Sequence, residues 1–510
     1  MDWKSGHRSR WRAAAAAVAV FPALLVTTTA NVSSVTAAGP AGVSTAWAGS
    51  AWLGSAGSAT TTGLSDVRAI IGASSGTAAT LTGAGVGVAL IDTGVAPVAG
   101  LPAAQVVNGP DLSFESQSAS LRYLDTYGHG THMAGIIVGN DTATGTKGIA
   151  PKAKLTSIKV GTSNGAVDVS QMIAAIDWVV AHKNDDPSHP IRVINLSYGT
   201  GGSPPFWTDP VQFAAEKAWK AGIVVVAAAG NSGNNSTRLT NPATDPWLIA
   251  VGAASTKGTT TTTDDELAAF TNTDASRPLD ILAPGVSIAS LRDPGSAIDQ
   301  QYTAAQVGAT LFRGSGTSQA AAVTSAAVAL LLQARPTLTP DQVKYNLVDS
   351  ARWLPNGIAA TRGFKMLNLA DALVRNSTTV QSHSNSVGTG LLEDARGPSH
   401  VVRDNVSLTG EKTVWGPLST ATWASRSAAK TAWSGGVWMG YRVAGDGWTG
   451  TSWASRTWAP ATWAGGPWGA APSWNDPDWS GHYWSGHYWS GHYWSGHYWS
   501  SDSWSAAFWG

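Results

Sequence analysis

Five short apolar runs rich in β-branched residues lie between Leu64 and Leu373, separated by segments of helical spacing, and this alternation narrows the possible folds most. The runs are Val86–Ile91, Leu155–Val160, Val193–Ser197, Ile223–Ala228 and Leu248–Ala253. Each reads as a strand buried on both faces, the pattern of a parallel sheet covered by helices. Between them, Met172, Ile173, Ile176, Val179 and Val180 recur at helical spacing over Val169–His182. Val211–Ala221 ends at Gly222, a favourable residue just past a helix end. Thr339, Pro340 and Gln342 offer a capping box and a first-turn proline for a helix carrying Val343 and Leu347. The fold class expected is α/β with a mainly parallel sheet, whose chemistry gathers at the carboxyl ends of the strands.

Four such ends carry reactive groups. Asp92 follows the run VGVALI and precedes the turn residues Thr93 and Gly94. It reads either as a carboxylate held beside a histidine or as a strand-end Asx turn. In YGHGTHMAG, His129 stands between Gly128 and Gly130 at the start of an apolar helix. His129 and His132, three apart, share a helix face and would suit a metal pair. They lack the glutamate and four-residue spacing of H-E-x-x-H, however, so no metal ligand is assigned and His132 reads as a packed structural residue. Ser318 follows Gly314, Gly316 and Thr317 and opens a helix apolar all round. It is either an ordinary cap or a nucleophile at the positive end of a helix dipole. Asn231 ends AAAGN just past a strand; its amide either donates to developing negative charge or merely fills a turn.

Asp, His, Asn and Ser in this order, each at a glycine-marked strand end or helix start, make four independent turns improbable. With IDTGV, GHGTHMAG, AAAGN and GTSQAA, together with INLSYG (Ile194–Gly199) and LAPGVSI (Leu282–Ile288), the sequence resembles the subtilisin-type (subtilase) serine peptidases over about residues 64–374. The resemblance implies a three-layer α/β fold with a mainly parallel central sheet. Ser318 would be the nucleophile, His129 its base and Asp92 the group that orients the imidazole. Asn231 would line the oxyanion hole with the Ser318 amide. Ser197, Tyr198 and Gly199 would hold substrate backbone, and Ala228, Ala229 and Gly230 would wall the pocket for the side chain before the scissile bond. An α/β-hydrolase is excluded because its G-x-S-x-G elbow needs glycine where Ala320 stands. The resemblance implies no required cofactor; it allows structural calcium, for which no ligands are assigned.

The chain departs from the family after the nucleophile. Many members have Met-Ala-Ser-Pro-His there, where this chain has Gln319, Ala320, Ala321, Ala322 and Val323. Ahead of the catalytic region, Lys4, Arg8, Arg10 and Arg12 precede the apolar stretch Ala13–Val26 and a small-residue cleavage region, so residues 1–37 read as a secretory signal peptide. Its removal takes four basic and one acidic side chain from 32 of each, leaving 28 against 31. A balance so close to neutral excludes a basic nucleic-acid binder. No later apolar stretch reads as a membrane anchor, so the product is expected outside the cell or on its surface. Residues 38–63 form only a short lead-in, too short for the folded inhibitory prosegment of many relatives. Cysteine is absent, which excludes disulfides, zinc–thiolate sites and thiol nucleophiles.

Past residue 374, residues 375–410 read as a linker and 411–510 as a tryptophan-rich tail. Seventeen of the 26 tryptophans fall beyond Gly410, most at a five-residue period with one slip, and WSGHY occurs four times. Period five fits neither simple element: on a helix each step turns about 140°, and on a strand an odd step alternates faces. The tail reads as a display of flat rings for cell-wall glycans, as a self-associating segment, or as low-complexity sequence left by repeat expansion. Protein and peptide substrates are the expected partners. Two other readings of the whole chain are an inactive surface-binding protein on a subtilase scaffold and a processing protease tied to one secretion system.

Overall fold

A computed structural model describes residues 60–442 apart from 117–120, 237, 356–362, 399, 404–405 and 435. The expected signal peptide, most of the lead-in and the tail beyond residue 442 lie outside the described residues.

The apolar runs form the centre of a ten-stranded sheet. Its parallel strands are β1 (Gly87–Asp92), β2 (Val106–Asp111), β3 (Lys154–Lys159), β4 (Ile191–Leu196), β5 (Val224–Ala228), β6 (Ile249–Ser255) and β7 (Ile281–Pro284). Their order across the sheet is β7-β6-β5-β4-β1-β3-β2. The five expected strands are all present. β2 and β7 lack a legible run because Gly109 and two prolines interrupt their apolar character. The chain winds from β1 to one side and then returns to place β4 on the other. The reversal point, where crevices open in such sheets, therefore lies between β1 and β4.

Helices α1 (His129–Val138), α2 (Val169–His182), α3 (Pro210–Lys220), α4 (Thr317–Ala334) and α5 (Pro340–Ser350) flank the sheet. α1 packs on α4, which lies across β4, β5, β6 and β7, while α2 packs on α3. The capping box at Thr339 is formed as the sequence indicated. Among the described residues α4 alone has the length and hydropathy of a membrane span, and 83% of it is buried inside the domain, so its apolar character belongs to the core.

The expected linker and the first part of the expected tail differ from the sequence reading. The described residues between 375 and 442 pack on the domain at several points. Ser386 donates its backbone N–H to Glu216 on α3 at 2.7 Å, and Trp247 donates its indole N–H to Ser384 O at 3.2 Å. In α6 (Leu392–Arg396), fully buried Arg396 pairs through Nε with Asp168 at 2.6 Å. Asp168 is the N-cap of α2, so the ion pair ties this segment to a helix end. Farther on, α7 (Thr420–Ala428) packs on α3.

Asp177 on α2 accepts hydrogen bonds from the indoles of Trp423 at 2.8 Å and Trp438 at 2.9 Å and from Ser427 Oγ at 2.5 Å. Trp433 donates to Ala174 O at 2.8 Å. A buried indole needs a hydrogen-bond partner, and α2 supplies three of them. Trp433 and Trp438, five apart, are paired across the strands β8 (Trp433–Ser434) and β9 (Val437–Trp438), followed by β10 (Tyr441–Arg442). A tight hairpin is thus one element that period five does fit, because residues i and i+5 face each other across its turn.

Candidate active site

Neighbouring strands in a sheet lie about 5 Å apart, and β1, β4 and β5 are consecutive. Their carboxyl ends therefore bring Asp92, Ser197 and the segment Ala228–Asn231 to one edge. Asp92, the last residue of β1, is buried. Its Oδ1 accepts from its neighbour Thr93, N–H at 2.8 Å and Oγ1 at 3.2 Å, and sits 2.7 Å from His129 Nδ1. This is an orienting contact: the carboxylate fixes the imidazole through one nitrogen and directs Nε2 elsewhere.

Glycines permit that approach. Gly128, the N-cap of α1, has φ +103°, which L side chains rarely adopt. A Cβ on Gly130 would lie 2.0 Å from Gly94 O and 3.1 Å from Asp92 Oδ1. Three residues on, His132 turns its Nε2 toward the carbonyls of Ile288 at 3.2 Å and Phe312 at 3.1 Å. Burial pushes its pKa down to about 3, so it stays neutral. Among the described residues no three His, Asp or Glu gather as a metal ion would require.

Ser318 stands in the first turn of α4, where backbone N–H groups lack helical partners. Its Oγ lies 3.5 Å from Ser197 O, and Ser197 Oγ donates to Ser318 O at 3.1 Å. Behind this contact Asn195 Nδ2 donates to Ser197 Oγ at 2.9 Å, and Ser325 Oγ donates to Asn195 Oδ1 at 2.9 Å, which staples α4 to β4. The oxygen of the Asn231 amide is occupied twice, by Thr317 N and Thr317 Oγ1, each at 2.9 Å. That tether leaves Nδ2 as the donor end beside the start of α4. Tyr198 is buried, so its ring is turned into the domain rather than presented on the surface of the stretch Ser197–Gly199.

Several supporting residues escaped the sequence reading. Buried Asp125 accepts from Thr93 Oγ1 at 2.8 Å, Gly128 N at 2.7 Å and Thr131 N at 2.7 Å. It therefore ties the first turn of α1 to the residue after Asp92, and burial raises its pKa. Thr93 Oγ1 in turn accepts from Gly130 N at 2.9 Å. Lys159, paired in register with Asp92 across β1 and β3, is buried and donates to Thr93 O at 2.7 Å and Gly161 O at 2.8 Å. Its charge is met by Glu115 at 3.0 Å. The available signal was the polar or charged residue inside an otherwise apolar strand, Asn195 in β4 and Lys159 in β3, since a buried polar group must find a partner.

A family model described as the subtilase family matches residues 83–390, more than half of the chain. The chain belongs to the subtilase family. Among its curated relatives, this subtilase is 37% identical over 275 residues to Serine protease AprX of Bacillus subtilis (strain 168), a match covering 52% of this chain and 61% of that protein. It therefore spans less than two thirds of that relative's length. To Subtilisin DY of Bacillus licheniformis it is 35% identical over 272 residues, covering 53% of this chain and 84% of that protein. Among solved structures, a cold adapted subtilisin-like serine proteinase matches with a TM-score of 0.44 at 28% identity, covering 57% of this chain and 90% of that one. The subtilase match runs past residue 374 to 390, into the segment that packs along α3.

Proposed function

We propose that the chain is a secreted serine endopeptidase that hydrolyses peptide bonds through an acyl-enzyme on Ser318, and that its C-terminal tail attaches it to cell-wall glycan. The observation that carries the catalytic reading is the His129 Nδ1–Asp92 Oδ1 contact of 2.7 Å at a strand end next to the one beside which α4 begins. Family membership and kinship to proteins named as subtilisins and serine proteases support it.

In this reading Ser318 Oγ attacks the scissile carbonyl carbon while its proton passes to His129 Nε2. Asp92 stabilises the imidazolium through Nδ1. The carbonyl oxygen, now negative, accepts from Asn231 Nδ2 and the Ser318 amide. The C–N bond then breaks, and the departing amine takes the proton from His129. Water, deprotonated by the same imidazole, attacks the ester carbon and releases the carboxylate product with Ser318 restored. Substrate backbone would lie along Ser197–Gly199 as an added strand, and Ala228–Gly230 would wall the first pocket. No step calls for a metal or organic cofactor.

Export is inferred from the basic start and apolar stretch of residues 1–37. Glycan attachment is inferred from tryptophan faces repeated every fifth residue beyond residue 442. A fluorophosphonate probe tests the catalytic reading: the purified chain labels, and Ser318→Ala does not. Equal labelling of the two, or none of either, would reject it.

A further inference from the structure

The strands β4 and β5 are parallel neighbours, and past their ends the chain continues as Ser197–Gly199 and Ala228–Gly230, leaving a slot between two backbone walls. The segment that closes the slot is Thr240–Asn241. Thr240 N donates to Ala229 O at 3.0 Å, and Asn241 exchanges backbone hydrogen bonds with Thr200 at 2.9 and 3.0 Å. Thr240 is thus bonded to one wall while its neighbour is bonded to the other.

Its side chain lies between them. A methyl group built on Gly199 would meet Thr240 Oγ1 at 2.3 Å and Cβ at 2.7 Å, and one built on Gly230 would meet Thr240 Cγ2 at 2.7 Å. The hydroxyl therefore fills the space against Gly199 and the methyl that against Gly230. A β-branched side chain has few χ1 wells, so withdrawing one branch drives the other into a wall. Asn272 braces the second wall: its Oδ1 accepts from Ser232 N at 2.5 Å and its Nδ2 donates to Arg238 O at 3.1 Å.

We infer that Thr240 truncates the pocket for the side chain preceding the scissile bond, so that the enzyme cleaves after small residues such as alanine and rejects aromatic and long aliphatic ones. This rests on the peptidase reading above. The second wall is held by the backbone bonds of Ala229 N to Val251 O and Asn272 N to Gly230 O, each at 3.0 Å, and the Thr200–Asn241 pair fixes the chain just past the first, so the slot does not widen for a ring, and overfilling such a space is unfavourable.

The test uses the full chain and peptide p-nitroanilides that differ only in the residue before the scissile bond, alanine against phenylalanine. The wild type is expected to favour alanine in kcat/KM by at least about tenfold, and Thr240→Gly to shift that ratio toward phenylalanine by about tenfold or more. The ratio is the readout, so a general loss of activity in the variant does not imitate the result, and fluorophosphonate labelling verifies that it folds. A wild type that cleaves after phenylalanine as well as after alanine would overturn the assignment, as would an unchanged ratio in a Thr240→Gly protein that still labels. Absence of turnover on both peptides together with absence of Ser318-dependent labelling would overturn the peptidase reading and the pocket with it.

Discussion

At the scale of single residues, the Asp92–His129 contact depends on groups behind it. Asp125 takes two backbone N–H groups at the start of α1 and the hydroxyl of Thr93, so it sets where the helix carrying His129 begins relative to Asp92. An asparagine there would present its NH₂ to a backbone donor. Asp125→Asn is expected to lower kcat by about 10–100-fold with KM little changed, since small displacements of a catalytic group have effects of that size. Steady-state kinetics separate the two parameters, and a pure KM effect would contradict the positioning role. Asn231→Ala should cost about 10²–10³ in kcat, the magnitude known for the oxyanion asparagine of subtilisin. Removing this side chain also frees Thr317, so the same variant should still label with a fluorophosphonate, but more slowly.

At the scale of elements, the segment from α6 to β10 is bound to α2 by polar contacts inside an apolar interface. Arg396 and Asp168 are both buried, and losing one leaves the other uncompensated. Arg396→Met is therefore expected to destabilise by about 3–5 kcal/mol, and the double variant with Asp168→Asn to recover part of it. Urea unfolding of the three proteins measures both effects. Burial pushes the Asp177 pKa up to about 6 despite its three donors. A carboxyl raised above its unfolded value, near 3.8, holds its proton more tightly when folded. Its contribution to stability is full below about pH 4, is lost as the pH rises through about 6, and is level above that. The stability of the wild type relative to Asp177→Asn should thus fall by about 3 kcal/mol across that window. A difference that stays flat from pH 4 to 7 would show Asp177 ionised throughout.

At the scale of the whole molecule, the subtilase match ends at residue 390, yet described residues beyond it pack on the helices of the matched part. A chain ended after Arg442 keeps Trp415, Trp423, Trp433 and Trp438, all buried, whereas one ended after Gly410 loses all four and opens the face of α2 and α3. The shorter chain is expected to melt well below the longer one, or not to fold, when both are compared by calorimetry. The tail is therefore tested by removing residues 443–510 rather than 411–510. Loss of binding to purified cell-wall material, with fluorophosphonate labelling retained, is the outcome expected for a glycan-attaching tail; identical partitioning would reject that role. The sequence by itself determined five of the strand runs and the helix starts, and it singled out Asp92, His129, Asn231 and Ser318 as candidates, because periodicity, capping and glycine-marked turns are local signals. Tertiary structure alone decided the fit of the first two, Asp92 Oδ1 at 2.7 Å from His129 Nδ1, and the place of Asp125 behind them, bonded to the backbone N–H groups of Gly128 and Thr131. It also decided that Trp433 and Trp438 belong to the domain, since their partners on α2 lie more than 250 residues earlier. The filling of the slot by Thr240 is of the same kind. A side chain's partner depends on which distant strands and helices end up adjacent, and no local window of sequence contains that information.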